Sequence, residues 1–435
     1  MNKADKKKKI LDLVRGVIEQ EDAEKEFHAG VDYIRTSGAA WDSNDVAALV
    51  ELALERWYTD GKNSHEFERY MATQTKQRLF TLCNSGSSAN LLAISALKSK
   101  QLRRPLKNGD EIITAACGFP TTVNPIVQNG FKPVFVDIQL PTYNAIPTVI
   151  EEAISSKTRA IFLAHTLGNP YKAREIRDLA DRNELIVISD NCDAAGAEHY
   201  DQPLPFWADI STFSFYPAHQ ISLAEGGGVS TNNPLLNKII RSFRDWGRDC
   251  FCPTGKDNTC GKRFGWQLGT LPFGFDHKYI YSEIGYNLKA TDLQAALGIG
   301  QAKRLPEFVK TRQENWSFYR NAFEEYREFF VLPEPTTRSK PSWFGFMLTV
   351  KESAPFTRKE LITFLEENKI GTRMLFAGNL TRHPAYKDVN YRVSGVLAKS
   401  DRVAENGFWI GVAPIITRPM QEYVMEKIRE FIKRY

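Results

Sequence analysis

The chain has 435 residues, with 57 Lys+Arg against 52 Asp+Glu and a formal net charge of +5. Hydrophobic residues at 42% and charged residues at 25% exclude a wholly disordered or fibrous chain, and the length allows about two or three domains. The charge excess lies partly in the run Lys6–Lys9, which lacks interleaved aromatics and gives no nucleic-acid signature. No apolar stretch approaches the roughly 18 residues of a membrane span.

The first element expected is a helix over residues 5–28, Lys-rich and then amphipathic through Ile10, Leu11, Leu13, Val14, Val17 and Ile18. It lacks the apolar core and cleavage site of a signal peptide, so the expected compartment is the cytoplasm. There the six cysteines should be reduced thiols, metal ligands or redox groups rather than structural disulfides. A second helix is expected over 43–60, with Ser43 as N-cap and Gly61 as terminator.

From residue 78 short apolar runs alternate with helical segments. Strands are expected at 78–83, 111–116, 133–136, 160–164, 185–189 and 210–215. Helices are expected near 87–99, 121–129, 147–155 and 173–182. The strands are rich in Val, Ile and Phe without polar alternation, as when both faces are covered. The fold class is therefore α/β with a mainly parallel central sheet. Residues 250–280 form a long loop rich in Cys, Gly and Pro; such a loop is usually functional or disordered, and its cysteines favour functional. A helix follows to about 328, then a smaller α+β segment ending in a helix at 418–434. The expected organisation is an N-terminal helical segment (1–75), a large α/β domain (76–300) and a small C-terminal α+β domain (301–435).

In open α/β sheets ligands sit beyond the carboxyl ends of the strands, and four such ends hold chemistry. Ser85, Gly86 and Ser87 open a helix, where free N–H groups form a phosphate seat; plain helix capping is the alternative. Phe119 offers a ring to cover a planar ligand, or simply packs in the core. Asp190 follows Leu185–Ile188, where a carboxylate could hold a pyridinium nitrogen protonated, or cap the next helix. Ser214 could bind phosphate, and His219 follows it in a turn before the triple glycine Gly226–Gly228. Each is weak alone, and a lone histidine is more often structural.

Their order is informative. With His165 and with Asn287 in Gly285–Lys289, the series resembles the fold-type I pyridoxal-phosphate enzymes, the aspartate aminotransferase-like fold. Within these it resembles the DegT/DnrJ/EryC1-like sugar aminotransferases and dehydratases. The resemblance implies that Ser85, Gly86, Ser87, Phe119, His165, Asp190 and Ser214 hold the cofactor. It also implies a homodimer in which Asn287 reaches the phosphate of the neighbouring subunit.

Two departures refine this. Aminotransferases of the group carry a cofactor-linking lysine where this chain has His219. Imidazole cannot make that link, but it can move a proton near neutrality. The resemblance then implies pyridoxamine 5′-phosphate (PMP) in place of linked pyridoxal phosphate (PLP), and dehydration in place of transamination. His219 is the implied base, Asp190 the partner of the ring nitrogen, and Asp193 and Tyr216 are secondary candidates. The second departure is the spacing C-x57-C-x-C-x7-C of Cys192, Cys250, Cys252 and Cys260. Four thiolates suit a [2Fe–2S] cluster or zinc; four unrelated buried cysteines are the alternative. Cys83 and Cys117 read as core.

Both departures are similar to the nucleotide-sugar 3-dehydrases. They imply C3 dehydration of CDP-4-keto-6-deoxyglucose in 3,6-dideoxyhexose synthesis, with electrons from an NADH-dependent flavin/iron–sulfur reductase. A cluster-free 3-dehydratase, a PLP sugar aminotransferase and a non-enzymatic relative remain alternatives. Phe344 is a candidate sugar contact, Arg248 and Lys289 candidate diphosphate contacts, and Arg402 carries no ligand signal.

Overall fold

A computed structural model describes all 435 residues. The N-terminal helices are α1 (Lys3–Ala23), α2 (Ser43–Glu55) and α3 (Lys62–Gln74). Helix α2 begins on a capping box in which Asp42 and Asp45 exchange side-chain and backbone bonds, so Asp42 is the N-cap in place of Ser43. It stops at Arg56 in the left-handed region, and Gly61 is the N-cap of α3.

The large sheet collects β1 (Leu79–Cys83), β2 (Glu111–Ala115), β3 (Lys132–Val136), β4 (Thr158–Ala164), β5 (Ile186–Asp190), β6 (Ile210–Ser214) and β7 (Gly227–Thr231). The interleaved helices are α4 (Gly86–Ala96), α5 (Pro120–Gln128), α6 (Pro147–Ala153), α7 (Ala173–Arg182) and α8 (Pro234–Arg244). Helix α9 (Asp292–Ala322) leads to the smaller region. There β8 (Phe330–Val331), β9 (Gly345–Val350), α10 (Arg358–Glu367), β10 (Arg392–Val393), α11 (Ala398–Asn406), β11 (Gly407–Gly411) and α12 (Arg418–Ile432) follow.

Strand order in the eight-stranded sheet is β1-β7-β6-β5-β4-β2-β3-β10, and β7 alone runs antiparallel to its neighbours. The carboxyl ends of the parallel strands therefore converge on one edge, where the β5 and β6 loops meet the start of α4. Apolar residues of α4 and α8 cover one face, and those of α6 and α7 the other, in separate buried clusters. This two-sided burial explains the unalternating strand sequences.

The smaller region has its own sheet, β8-β9-β11, and an aromatic core in which Trp316 of α9 stacks on Trp343 at 4.2 Å. Helix α9 is capped by a Thr291–Gln294 box, and its buried Asp292 accepts bonds from Ser64 N (2.7 Å) and Ser64 Oγ (2.9 Å), fixing the start of α3 against it. No helix is long and apolar enough to cross a membrane.

Candidate active site

Asp190 ends β5 and is 4% exposed. Its Oδ2 accepts from Asn90 Nδ2 (2.9 Å) and Thr122 Oγ1 (2.8 Å), and its Oδ1 from the backbone N–H of Cys192 (3.0 Å). Asn90 in turn accepts from Thr212 Oγ1 at 2.6 Å. Residues of α4, α5, β5 and β6 thus lock one carboxylate in one orientation. The Cys192 bond is the local turn expected of such an aspartate, yet three side chains from elsewhere in the sheet also orient the group. Asn90, Thr122 and Thr212 escaped sequence reasoning, because only the sheet order brings them together.

His165 is fully buried beneath this point. Its Nδ1 accepts from Tyr171 N–H (3.1 Å), which leaves the hydrogen on Nε2 to donate to Ser189 Oγ (2.8 Å); the ring stacks on Tyr171 at 4.0 Å. Burial keeps this imidazole neutral, its pKa well below the usual value. Both nitrogens are engaged inside the sheet, so His165 acts on the site by holding Ser189 beside Asp190.

Ser85 is the N-cap of α4, with its Oγ accepting from Ser88 N at 3.1 Å. Capping therefore occurs as the sequence allowed. The N–H groups of Gly86 and Ser87 stay free of intrahelical partners, as first-turn donors do. Gly86 abuts Ser214, and a Cβ there would overlap the Ser214 Cβ. Ser214 and the α4 turn consequently face each other as two walls of one small polar seat.

His219 lies in the turn after β6, its N–H bonded to Tyr216 O at 2.9 Å. Its ring sits 5.2 Å from that of Phe344, and its Nδ1 is 3.5 Å from Asp193 Oδ1. Nδ1 is buried without a hydrogen-bond partner. Burial, then the nearby Arg312 charge, lowers the His219 pKa to about 3. Burial, then Asp190, raises the Asp193 carboxyl well above the usual range. The pair is thus uncharged, and the imidazole Nδ1 is left without a partner.

Arg312 of α9 fixes the turn from behind. Its guanidinium donates to His219 O (2.9 Å) and Trp343 O (3.1 Å) while only 1% exposed. Gln220 Nε2 donates to Ser342 O (2.8 Å) and to Asp193 O. These two residues join the β5 and β6 loops to the smaller region; nothing in their local sequence marks them.

Phe119 and Tyr216 are each 50% exposed. The Phe119 ring stands edge-on to Phe376 at 5.8 Å, so it borders the cleft instead of filling the core. Phe344 is buried against His219. Asn287 is exposed beyond the sheet edge and accepts from Lys289 Nζ at 2.8 Å. Arg248 and Lys289 both lie over the Trp246 ring, at 4.9 and 3.6 Å. Arg402 carries a buried, unpartnered Nε.

The arrangement fits a cofactor of the pyridoxal phosphate type. There is an oriented carboxylate for a ring nitrogen, a serine-lined helix start for a phosphate, and a buried imidazole with an idle nitrogen.

The cysteines are arranged otherwise than expected. Cys250, Cys252 and Cys260 line one small pocket with His277 and Arg263. Thr259 Oγ1 donates to Cys252 Sγ (3.1 Å) and Lys262 N to Cys260 Sγ (3.4 Å). Cys192 stays at the end of β5, its thiol raised well above its usual pKa by burial and then by Asp190. No three His, Cys, Asp or Glu side chains of the chain stand at metal-holding spacing. The expected four-thiolate set is thus not assembled within one chain. The loop is held where Thr254 bonds Asp60 (3.0 Å) and Leu288 O accepts from Asn84 N just after β1 (2.9 Å), and Cys192 does not line its pocket. Cys83 and Cys117 are core residues, 0% and 2% exposed.

Residues 40–429 match the DegT/DnrJ/EryC1/StrS aminotransferase family. The chain is 49% identical to the lipopolysaccharide biosynthesis protein RfbH of Salmonella typhimurium, over 98% of each chain. It is 50% identical to a dTDP-4-dehydro-2,6-dideoxy-D-glucose 3-dehydratase of Saccharopolyspora spinosa, covering 99% of this chain and 93% of that one. Among solved structures it is similar to an E. coli GDP-4-keto-6-deoxy-D-mannose-3-dehydratase with bound hydrated PLP. That likeness has a TM-score of 0.82 at 26% identity, over 92% of this chain and all of the other.

Proposed function

Since the chain belongs to the DegT/DnrJ/EryC1/StrS aminotransferase family and has the PLP fold type I, we propose that it is a PMP-dependent nucleotide-sugar 3-dehydrase. The observation that carries this reading is His219, a buried neutral imidazole with an unpartnered nitrogen where the aminotransferases of the family have their linking lysine.

The cofactor would supply an amine for the C4 ketone of the sugar and a ring that takes up electrons as the C3 hydroxyl leaves. Ser214 and the Gly86 and Ser87 N–H groups bind its phosphate. Asp190, held by Asn90 and Thr122, keeps a proton on the ring nitrogen. His219 takes a proton from the C4′ carbon. Asp193 shares the turn as an uncharged neighbour, and Tyr216 and Phe119 border the entrance. Phe344 positions the imidazole by packing on it.

The substrate we propose is CDP-4-keto-6-deoxyglucose, leading to a 3,6-dideoxyhexose for lipopolysaccharide O-antigen. The relatives' names carry dTDP and GDP, so the base is tested directly by turnover of the CDP, dTDP and GDP 4-keto-6-deoxy sugars. The reading extends to a homodimer, a [2Fe–2S] centre on the loop cysteines, and an NADH-dependent flavin/iron–sulfur reductase as electron source. Its support is the three thiols around one pocket, two of them receiving polar hydrogens.

The test is anaerobic turnover with PMP, the CDP sugar, reductase and NADH. Loss of the C3 oxygen with NADH consumption is expected. Glutamate-dependent appearance of a 4-amino sugar would make the protein an aminotransferase. The specific rival is a cluster-free 3-dehydratase, favoured by the absence of any three potential ligands at metal-holding spacing. Iron and sulfide analysis decides between the two.

A further inference from the structure

We propose that the metal centre is built between two copies of the chain, with Cys250, Cys252 and Cys260 from one and Cys192 from the other. The inference rests on the [2Fe–2S] part of the function proposed above.

Three observations carry it. First, one chain separates its thiols into two groups. Three line a pocket on the loop beyond edge strand β1, while Cys192 borders the cleft at β5 among Asp190, Asp193 and Cys83. Cys192 does not line that pocket, and the four thiols are not gathered as one ligand set within a chain. The loop is also tethered to its own edge by the Thr254–Asp60 bond and the packing of Gly255 on Trp57. Folding it inward to its own Cys192 would break both contacts.

Second, the loop presents apolar side chains outward. Phe251 is 62% exposed, Phe264 59%, Phe273 73%, and Ile284 95%. Such a cluster on one projection marks an interaction surface. Third, Cys192 is only partly buried, so a group from outside its own chain can reach it.

Every copy carries one loop and one cleft. A twofold contact that seats the loop of each copy at the cleft of the other covers both surfaces and completes two sites at once. The four thiols lose their protons on binding, and four thiolates are the ordinary protein ligand set of a [2Fe–2S] cluster. The occupant of the exposed loop face is therefore a second copy of this chain.

Complementation in mixed dimers tests this. The full-length variants Cys192→Ser and Cys252→Ser are co-expressed with different tags, and the mixed dimer is isolated through both. All species are reconstituted anaerobically with ferrous iron and sulfide, and iron, sulfide and visible absorbance are counted per dimer. If the site is shared, each variant alone holds none, and the mixed dimer regains about half the wild-type iron. One of its two sites then has all four cysteines and the other lacks two. If each chain builds its own site, both sites of the mixed dimer stay broken; a colourless mixed dimer beside a brown wild type overturns the proposal. Full iron in Cys192→Ser alone also overturns it, since Cys192 is then no ligand. Absence of iron from the wild type removes the cluster itself, which is a distinct failure. Circular dichroism of each variant, with Cys192→Ala and Cys260→Ser as a second pair, separates ligand loss from misfolding.

Discussion

At the scale of the residue, the site depends on how burial sets charge. His219 is held neutral by burial and by Arg312, while Asp193 beside it is held protonated. Replacing His219 by Lys would put an amine where the imidazole now stands. His219→Lys is expected to trap pyridoxal phosphate covalently, read as a chromophore that survives borohydride treatment and denaturation. A variant that releases all its cofactor would place this side chain away from the cofactor's C4′ carbon. Asp190 makes the converse case. Asp190→Asn keeps the volume but removes the charge, and turnover should fall about 10²–10³-fold, the usual cost of one preorganised electrostatic partner. Cofactor affinity measured by titration should change far less. Near-equal loss of both would make Asp190 a binding group only.

At the scale of the element, the phosphate seat depends on the close approach of α4 to β6 and β7. A Cβ at Gly227 would overlap the carbonyl of Ser85, and one at Gly228 the ring of Phe80. Gly227 and Gly228 of the triple glycine thus lie in β7, where neighbouring atoms leave no room for a side chain. Gly227→Ala should push the α4 start outward. We expect weaker retention of PMP on dialysis and a lower melting temperature, overpacking of this kind costing about 1–3 kcal/mol. Unchanged retention would mean that the α4 turn does not hold the phosphate. Elements α3 and α8 were not anticipated either. Helix α3 buries Phe67 and Met71 among polar neighbours, too sparse a pattern to read, and Gly61 suits a helix start as well as a helix end.

At the scale of the whole molecule, several buried imidazoles couple folding to pH. His219, His165 and His199 all have lowered pKa values, burial being the first cause in each. Unfolded, these rings take up protons below about pH 6.5; folded, they refuse them. Their contribution is complete above that pH and is lost as pH falls toward the folded values. Asp193 acts oppositely. Its raised pKa costs stability as pH rises above about 3.9, where the unfolded chain ionises it. The thermal midpoint of the cofactor-free protein should therefore drop between pH 7.5 and pH 5, and the drop should shrink in His219→Asn. An identical drop in both proteins would show that the His219 ring takes up protons equally in the folded and unfolded chain.

The strand–helix alternation, the burial of the sheet on both faces and the identity of the chemical residues were determined by sequence alone. Periodicity and residue type are local properties, and Asp190 follows the apolar run Leu185–Ile188. The tertiary structure decided what those residues experience. Arg312 reaches His219 across 93 positions, Asn90 reaches Asp190 across 100, and Cys192 stands outside the pocket that the loop thiols line. Such contacts follow from sheet topology and long-range packing, which residue spacing along the chain does not encode.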